Sequence, residues 1–247
     1  MTTIKGVLFD FSGTLMRIES AESWLRAALD ASGTALDDAE IRRLAAALER
    51  AGALPGGSSP VELPAELAGL WEIRDRDAAH HRALYTGLAR QVPLPKPELY
   101  DALYERSMAA DAWTPYPDAA EVLAQLHGRG VRIGVLSNIG WDLRPVLRAH
   151  GLDRHIDRFV LSYEHGVQKP DPGIFALACD ALGLAPSDVL MVGDDRTADG
   201  AATALGCAYL PVDHLPAERR PDGLRPVLGL VGPVGQSTDE ERRSSHS

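Results

Sequence analysis

Short apolar stretches alternate with longer amphipathic stretches through the second half of the chain. Four of the apolar stretches are typical of buried strands: VRIGVLS (131–137), DRFVLS (157–162), DVLMVGD (188–194) and CAYLPV (207–212). An earlier stretch, IKGVLF (4–9), has the same character. Strands that are separated by helices run parallel, because each connection crosses back over the sheet. The sequence therefore predicts an α/β fold built on a parallel sheet.

The segment between the first and second strands has a helical pattern instead. Apolar residues recur at three- and four-residue spacing in 19–53, 63–91 and 97–109, with loops at LPGGSSP (54–60) and PLPKP (93–97). We predict a core formed by residues 1–15 and 112–212, interrupted by an all-helical cap at 16–111. Residues 213–247 form a predicted C-terminal extension, and its last part, QSTDEERRSSHS (236–247), is polar enough to be disordered.

The composition argues against two classes of function. The net charge of −10 and the pI of about 5.2 disfavour a sequence-independent nucleic-acid-binding protein, which needs a basic face. No apolar run approaches the ~18 residues of a membrane span. The N-terminus enters a strand directly and lacks a signal-peptide pattern, so we predict a cytoplasmic protein. The sequence does not predict an oligomeric state.

Residues that can carry chemistry lie where the predicted strands end. They are Asp10 and the stretch Ser12–Gly13–Thr14 after the first strand, Ser137 and Asn138 after the second, Lys169 in the loop GVQKPDP, and Asp194 and Asp199 at and beyond the fourth. In an open parallel sheet the ligand crevice lies at the carboxyl ends of the strands. We therefore expect these groups to converge on one site.

The residue types at this site suit phosphoryl chemistry. Asp10 and Asp194 offer hard carboxylate oxygens of the kind that bind Mg²⁺. Ser137 can hold an anionic oxygen, and Lys169 places a positive charge between carboxylate and ligand. An aspartate beside a metal and a lysine stays ionised and can attack a phosphorus atom. The site therefore indicates Mg²⁺-dependent phosphoryl transfer.

Four motifs in order make the chain resemble the haloacid dehalogenase superfamily. They are DFSGT (10–14), GVLSN (134–138), VQKPDPGIF (167–175) and GDDRTAD (193–199). The branch that it resembles carries a helical cap inserted after the first motif. The resemblance covers residues 4–15 and about 112–212, and it implies a Rossmann-like, three-layer α/β/α core.

The resemblance also implies a role for each residue. Asp10 is the implied nucleophile and a metal ligand, and Ser12 contributes its backbone carbonyl to the metal. Thr14 and Ser137 belong to the phosphate site, Lys169 neutralises charge, and Asp194 and Asp199 belong to the metal site. We assign Gly13, Asn138 and His81 to substrate binding; of the adjacent His80 and His81, at most one can face the site, because neighbouring helical residues point about 100° apart.

Ser12 departs from the motif of the family's phosphatases, which have an aspartate there. That aspartate protonates the leaving oxygen and then activates water. A serine hydroxyl is too weak an acid and too weak a base for these tasks, and positioned acid–base catalysis is worth ~10² to 10⁴ in rate. We therefore expect slow turnover on esters with poor leaving groups unless another residue supplies the proton.

Four functions remain open on the sequence. The favoured one is a phosphatase that acts on a small phosphorylated metabolite through an aspartyl phosphate on Asp10. The second is a phosphoryl-handling protein with a long-lived aspartyl phosphate. The third is a 2-haloacid dehalogenase, a class that lacks the second aspartate and needs no metal. The fourth is a phosphate-binding protein with little or no turnover.

Overall fold

The centre of the fold is a five-stranded parallel sheet, in a computed structural model that describes residues 4–232. The strands in chain order are β1 (Gly6–Phe9), β2 (Met16–Ile18), β3 (Trp113–Pro115), β4 (Arg132–Ser137), β5 (Arg158–Leu161), β6 (Val189–Gly193) and β7 (Ala208–Pro211). The sheet has the order β5-β4-β1-β6-β7. All of its pairs are parallel, so the predicted α/β class is confirmed.

Helices precede or connect these strands along most of the chain. They are α1 (Ala21–Ala31), α2 (Asp38–Arg50), α3 (Ala68–Ile73), α4 (Ala78–Ala89), α5 (Glu98–Arg106), α6 (Ala119–Gly128), α7 (Arg144–Ala149), α8 (Ser162–His165), α9 (Pro172–Leu182) and α10 (Val227–Leu230). The connection between β6 and β7 contains a 3₁₀ helix, Gly200–Leu205. Among residues 4–232, no helix is both long enough and apolar enough to cross a membrane.

The two faces of the sheet are both buried, which produces three layers. Val7 and Phe9 of β1 belong to one apolar core together with Leu126 of α6. Leu8, which lies between them in the strand, belongs to a second core with Phe175 of α9. Successive strand residues point to opposite faces, so a strand buried on both sides is apolar throughout.

The helical insertion begins and ends in a short antiparallel ribbon. β2 pairs with β3, with Met16 opposite Pro115 and Ile18 opposite Trp113. Helices α1 to α5 lie between these two strands in the chain. The prediction of an all-helical segment from residue 16 is therefore wrong for its first residues. Three residues are too few to show a period, and their partner is distant in the chain. The domain boundaries themselves stay a prediction.

The first part of the C-terminal extension folds back onto the core. The Asp118 carboxylate accepts hydrogen bonds from the backbone N–H groups of Leu224 and Arg225, at 2.7 and 3.0 Å. Leu224 and Val227 are fully buried. The segment 236–247, predicted to be disordered, lies outside the described residues.

Candidate active site

The predicted residues meet at the carboxyl ends of the central strands, around a cavity of about 770 Å³. Asp10 follows β1 directly and its backbone N–H donates to the carbonyl of Val192 in β6 at 2.9 Å. Of the predicted site residues, the cavity wall includes Asp10, Ser12, His81, Ser137, Asn138, Lys169, Asp194 and Asp199. The topology explains this convergence, because β1 lies between β4 and β6.

Lys169 connects the two carboxylates at the floor of the cavity. Its ammonium donates to Asp10 Oδ1 at 2.8 Å, to Asp199 Oδ1 at 2.6 Å and to the carbonyl of Leu136 at 3.2 Å. All three ammonium hydrogens therefore have acceptors. The Lys169 side chain is only 3% exposed, so its charge is held in place by these partners and not by water.

The electrostatics of this network favour a charged lysine. Burial alone would lower the pKa of Lys169, but the carboxylates of Asp10 and Asp199 reverse this and raise it. Burial raises the pKa of Asp10 to about 8, with Asp199 and Asp194 acting in the same direction and Lys169 opposing them. An excess of negative charge therefore surrounds Asp10, and a further cation beside it would favour the ionised form.

Removing the lysine charge should destabilise the protein. In a Lys169→Met variant the buried carboxylates of Asp10 and Asp199 lose the one ion-pair partner that each has within residues 4–232. Breaking a buried pair in this way costs ~3–5 kcal/mol. The loss should grow between pH 5 and pH 8, because the carboxylates can protonate at the lower pH. Urea unfolding at both pH values measures it.

The matched control is Lys5→Met, which removes an exposed ion pair with Asp188. That change should alter the free energy of unfolding by no more than ~0.5 kcal/mol. Equal losses in the two variants would show that the buried network has no special role in stability.

The carboxylates of the site fit a divalent cation. Asp10, Asp194 and Asp199 each offer one carboxylate oxygen, and these atoms lie within 4.8 Å of one another. One buried ammonium does not balance three carboxylates, and hard oxygen donors are what Mg²⁺ prefers. Asp199 is already engaged through Oδ1 by Lys169 and through Oδ2 by the backbone N–H of Asp195. Asp194 is engaged as well, because His214 Nδ1 lies 2.5 Å from its Oδ2. Among residues 4–232, Asp10 accepts a side-chain hydrogen bond through Oδ1 alone, so it is the freest of the three ligands.

Thr14 and Gly13 do not form part of the cavity wall. The Thr14 side chain is fully buried, and its hydroxyl lies 3.5 Å from Asp194 Oδ1. Gly13 has a φ of 80°, and a Cβ at this position would collide with Asp194 and His214. The assignments of Thr14 to the phosphate site and of Gly13 to substrate binding stay predictions. Both residues shape the turn behind the cavity and support Asp194.

Asn138 lines the cavity but its amide holds the loop of Lys169. Its Nδ2 donates to the Lys169 carbonyl at 2.8 Å, and the Lys169 N–H donates to its Oδ1 at 2.7 Å. This paired contact fixes the backbone from which the Lys169 side chain projects. The structure therefore gives Asn138 a positioning role that the sequence did not predict.

Of the two adjacent histidines, His81 is the one that reaches the cavity. His81 is 3% exposed, and its Nδ1 lies 2.8 Å from the Tyr104 hydroxyl. Burial, with a smaller effect of Arg74, lowers the pKa of His81 to about 3. The imidazole is therefore neutral near pH 7. His80 instead pairs with Asp77 at the start of α4.

Ser12 faces a turn of the helical insertion. Its hydroxyl donates to the carbonyl of Gly56 at 3.2 Å, and the turn 55–59 lines the cavity beside it. Gly56 has a φ of 78° and a Cβ there would meet the Ser12 hydroxyl and Trp113. A small residue at each position allows this close approach. The Ser12 side chain is thus a contact to the insertion and not an acid or a base.

The sequence did not predict several residues that line the cavity. The cavity wall includes Arg74 and Asp75 from the turn between α3 and α4, Gln168 beside Lys169, and His214 from the C-terminal extension. His214 Nδ1 lies 2.5 Å from Asp194 Oδ2. Gln168 lies within the motif that contains Lys169, and Arg74 and Asp75 lie within a stretch of helical pattern, but neither pattern assigns these residues to the site.

The C-terminal extension also braces the first motif from behind. The buried guanidinium of Arg220 donates to the backbone carbonyls of Gly13 and Thr14. It stacks on Tyr116, with its central carbon 3.2 Å from the ring centroid. These contacts fix the turn that carries Asp10 into the cavity.

An aromatic wall closes one side of the cavity. Phe11, Trp113 and Trp141 contact one another, with ring centroids 4.6 Å apart for Phe11–Trp113 and 6.1 Å apart for Trp113–Trp141. All three line the cavity and are buried. The wall gives an apolar surface beside the charged floor.

Comparison with known proteins places these features in one family. Residues 4–205 match the family model described as haloacid dehalogenase-like hydrolase. The chain is 30% identical to (S)-2-haloacid dehalogenase 1 from Pseudomonas sp. (strain CBS-3) over 219 residues, which is 87% of each chain. It is 35% identical to ribulose-1,5-bisphosphate 5-phosphatase from Halopiger xanaduensis over 178 residues, 66% of this chain and 72% of that protein.

Other relatives match over a smaller share, such as 46% of the length of (S)-2-haloacid dehalogenase 4A from Burkholderia cepacia. Among solved structures, a dehalogenase with an intermediate complex has a TM-score of 0.65 and 23% identity over 94% of this chain and 98% of its own. That likeness concerns the fold. The relatives with assigned activities include both dehalogenases and phosphatases.

Proposed function

We propose that this chain, which belongs to the haloacid dehalogenase-like hydrolases as its motifs predicted, is a Mg²⁺-dependent phosphatase of the cytoplasm. Its substrate is a small phosphorylated metabolite, and Asp10 accepts the phosphoryl group before water removes it. Membership of this family establishes that the chain is a hydrolase. That the hydrolase is a phosphatase is our proposal.

The observation that carries this proposal is the convergence of three carboxylates on one point. Asp10, Asp194 and Asp199 would repel one another and a phosphate dianion, and Lys169 alone does not offset this. A divalent cation held by Asp10, Asp194 and the Ser12 carbonyl makes the arrangement reasonable, because it offsets the charge of both nucleophile and substrate.

The residues of the chain divide the first step among them. Lys169 holds Asp10 Oδ1 at 2.8 Å, which leaves Oδ2 to attack phosphorus. Ser137, at the end of β4, lies in the wall where its hydroxyl can hold a phosphoryl oxygen. The aromatic wall and the insertion exclude water while the aspartyl phosphate forms.

A 2-haloacid dehalogenase is the second candidate, and Ser12 is the observation that favours it. In that reaction Asp10 would attack carbon and expel a halide, which is a weak base and needs no general acid. A serine at position 12 would then not lower the rate of this step. The 30% identity to (S)-2-haloacid dehalogenase 1 over 87% of the chain is compatible with this candidate.

Removing divalent metal separates the two candidates. Treatment with EDTA should abolish phosphate release from 4-nitrophenyl phosphate, because the charge excess around Asp10 would then repel the substrate. Added Mg²⁺ should restore the activity. Nitrophenolate absorbance measures it.

Chloride release from 2-chloropropionate is followed in parallel under the same conditions. Chloride release that persists in EDTA, without phosphatase activity in Mg²⁺, would replace the proposed phosphatase by the dehalogenase.

A further inference from the structure

The proposed phosphatase needs a proton donor that Ser12 cannot replace. We propose that Asp75, from the turn between α3 and α4, is the general acid and base of this site. The inference rests on the proposed function and adds a catalytic residue to it. It implies that the helical insertion completes the active site and does not only cover it.

Asp75 is buried and faces the same cavity as Asp10. It is 4% exposed and lines the cavity from the side of the insertion. An in-line displacement places the leaving oxygen on the side of phosphorus away from Asp10. Asp10 lines the cavity from the edge of the sheet and Asp75 lines it from the insertion. A leaving oxygen on the side of phosphorus away from Asp10 would therefore be directed towards the insertion, which carries Asp75.

The backbone around Asp75 is fixed to the catalytic floor. Gln168 Oε1 accepts a hydrogen bond from the Asp75 N–H at 3.1 Å, and Gln168 Nε2 donates to the carbonyl of Glu72 at 3.2 Å. Gln168 is the neighbour of Lys169 in the chain. These two hydrogen bonds therefore fix the turn that carries Asp75 relative to Lys169, whose ammonium group holds Asp10.

The Asp75 carboxyl group has no short hydrogen bond to another side chain of residues 4–232. Two side-chain nitrogens lie within 4 Å of its oxygens: Arg74 Nε at 3.4 Å and His81 Nε2 at 3.8 Å. Of these two side chains only Arg74 is charged, because the lowered pKa of His81 keeps its imidazole neutral. The oxygens of a buried carboxyl group normally find close donors. The two carboxyl oxygens of Asp75 are instead available to a ligand in the cavity.

The protonation of Asp75 suits a donor. Burial raises its pKa, and Arg74 and then Lys169 oppose this with smaller effects. A raised pKa keeps part of the group protonated at a pH at which an ordinary aspartate is fully ionised. The titratable and charged groups around it are Arg74, His81, Tyr85, Tyr104 and Lys169.

The other polar groups of the wall fit the task less well. His81 has a pKa of about 3, so it carries no proton to give as an imidazolium. His214 Nδ1 lies 2.5 Å from Asp194, so this histidine is paired with one of the proposed metal ligands. Asp195 Oδ1 accepts the backbone N–H groups of Thr197 and Ala198, at 2.8 and 2.9 Å.

The two steps balance with Asp75 in this role. As Asp10 Oδ2 forms its bond to phosphorus, the bond from phosphorus to the leaving oxygen breaks, and the Asp75 proton passes to that oxygen. The alcohol leaves and Asp75 is a carboxylate. It then takes a proton from the water that attacks phosphorus, the bond to Asp10 breaks, and inorganic phosphate is released with Asp75 protonated again.

The test compares two aryl phosphates in the presence of Mg²⁺. Phenyl phosphate releases a stronger base than 4-nitrophenyl phosphate and depends more on a general acid. We expect Asp75→Asn to lower turnover of phenyl phosphate by ~10² or more, the usual worth of a positioned acid. With 4-nitrophenyl phosphate it should give a burst of about one nitrophenolate per chain and then a slow rate, because dephosphorylation lacks its base. Intact mass should show the trapped phosphoryl adduct.

Asp77→Asn is the matched control. Asp77 lies two residues away, is exposed, and caps α4 by accepting the His80 N–H at 2.7 Å. Asparagine caps a helix equally well, so this variant should behave as wild type with both substrates. Equal loss with both aryl phosphates in Asp75→Asn, without a burst or an adduct, would overturn the inference, and so would unchanged turnover. A wild type that releases neither phenolate would overturn the proposed function and the inference with it.

A stability measurement separates catalysis from folding. Because the pKa of Asp75 is raised in the folded state, folding favours its protonated form, and its contribution to stability is lost as pH rises above the range of an ordinary aspartate. Asp75→Asn should therefore shift the urea midpoint upward at pH 8 relative to wild type, and by less at pH 4. A midpoint well below wild type at both pH values would mean that Asp75 is structural.

Discussion

Replacing Asp10 by asparagine should reduce phosphate release from 4-nitrophenyl phosphate by ~10³-fold or more, since removing a nucleophile removes the chemical step itself. The substitution nearly preserves shape, and Lys169 keeps its contacts with Asp199 and the Leu136 carbonyl. The fold should survive, because Asp10 is a buried carboxylate with a raised pKa and its loss relieves repulsion from Asp194 and Asp199. Steady-state kinetics and a urea titration of the same preparation measure both effects.

The control for this result is Asp188→Asn. Asp188 precedes β6 at the opposite end of the sheet and pairs with Lys5 at 2.9 Å. Activity in this variant should stay within about twofold of wild type, as is usual for a surface substitution. Retained turnover in Asp10→Asn would remove the nucleophile assignment and with it the aspartyl phosphate.

Introducing a carboxylate at position 12 should rescue the variant that lacks Asp75. In an Asp75→Asn background, Ser12→Asp should raise turnover of phenyl phosphate by ~10² or more, because it restores a positioned acid and base. The new carboxylate cannot keep the Ser12 contact to the Gly56 carbonyl, since two acceptors would then face each other. It should turn into the cavity instead, towards the leaving oxygen. Steady-state kinetics on phenyl phosphate measures the gain.

Ser12→Asn in the same background is the matched control, with the same shape and no acid or base. It should give no rescue. In the wild-type background Ser12→Asp should gain less than ~10-fold, because Asp75 already supplies the proton. A gain of ~10² there would show that position 12 is the true bottleneck and that Asp75 is not the acid.

The predictable parts of the site share one physical origin. Asp10 and Asp194 each follow a buried strand and Ser137 ends one, and the carboxyl ends of parallel strands meet at one edge. The order of elements along the chain is enough to bring such residues together. Lys169 joins them because its loop is tied to Asn138, at the end of β4, through two hydrogen bonds.

Other parts follow from contacts between segments that have no pattern of their own. β2 is three residues long and exists because it pairs with β3. Thr14 and Gly13 belong to the first motif, DFSGT, yet the path of the turn directs them towards Asp194 and away from the cavity wall. A spacing along the chain does not specify such a direction.

The sequence by itself determined the α/β core and the sheet edge at which the carboxylates and Lys169 meet. These follow from strand and helix periods, which are local properties of the chain. Only the tertiary structure decided that Asp75, His214 and Arg220 belong to the same site. They come from a turn and from a C-terminal extension. Their positions depend on how distant segments pack, and the helix and strand periods of the sequence contain no information about that packing.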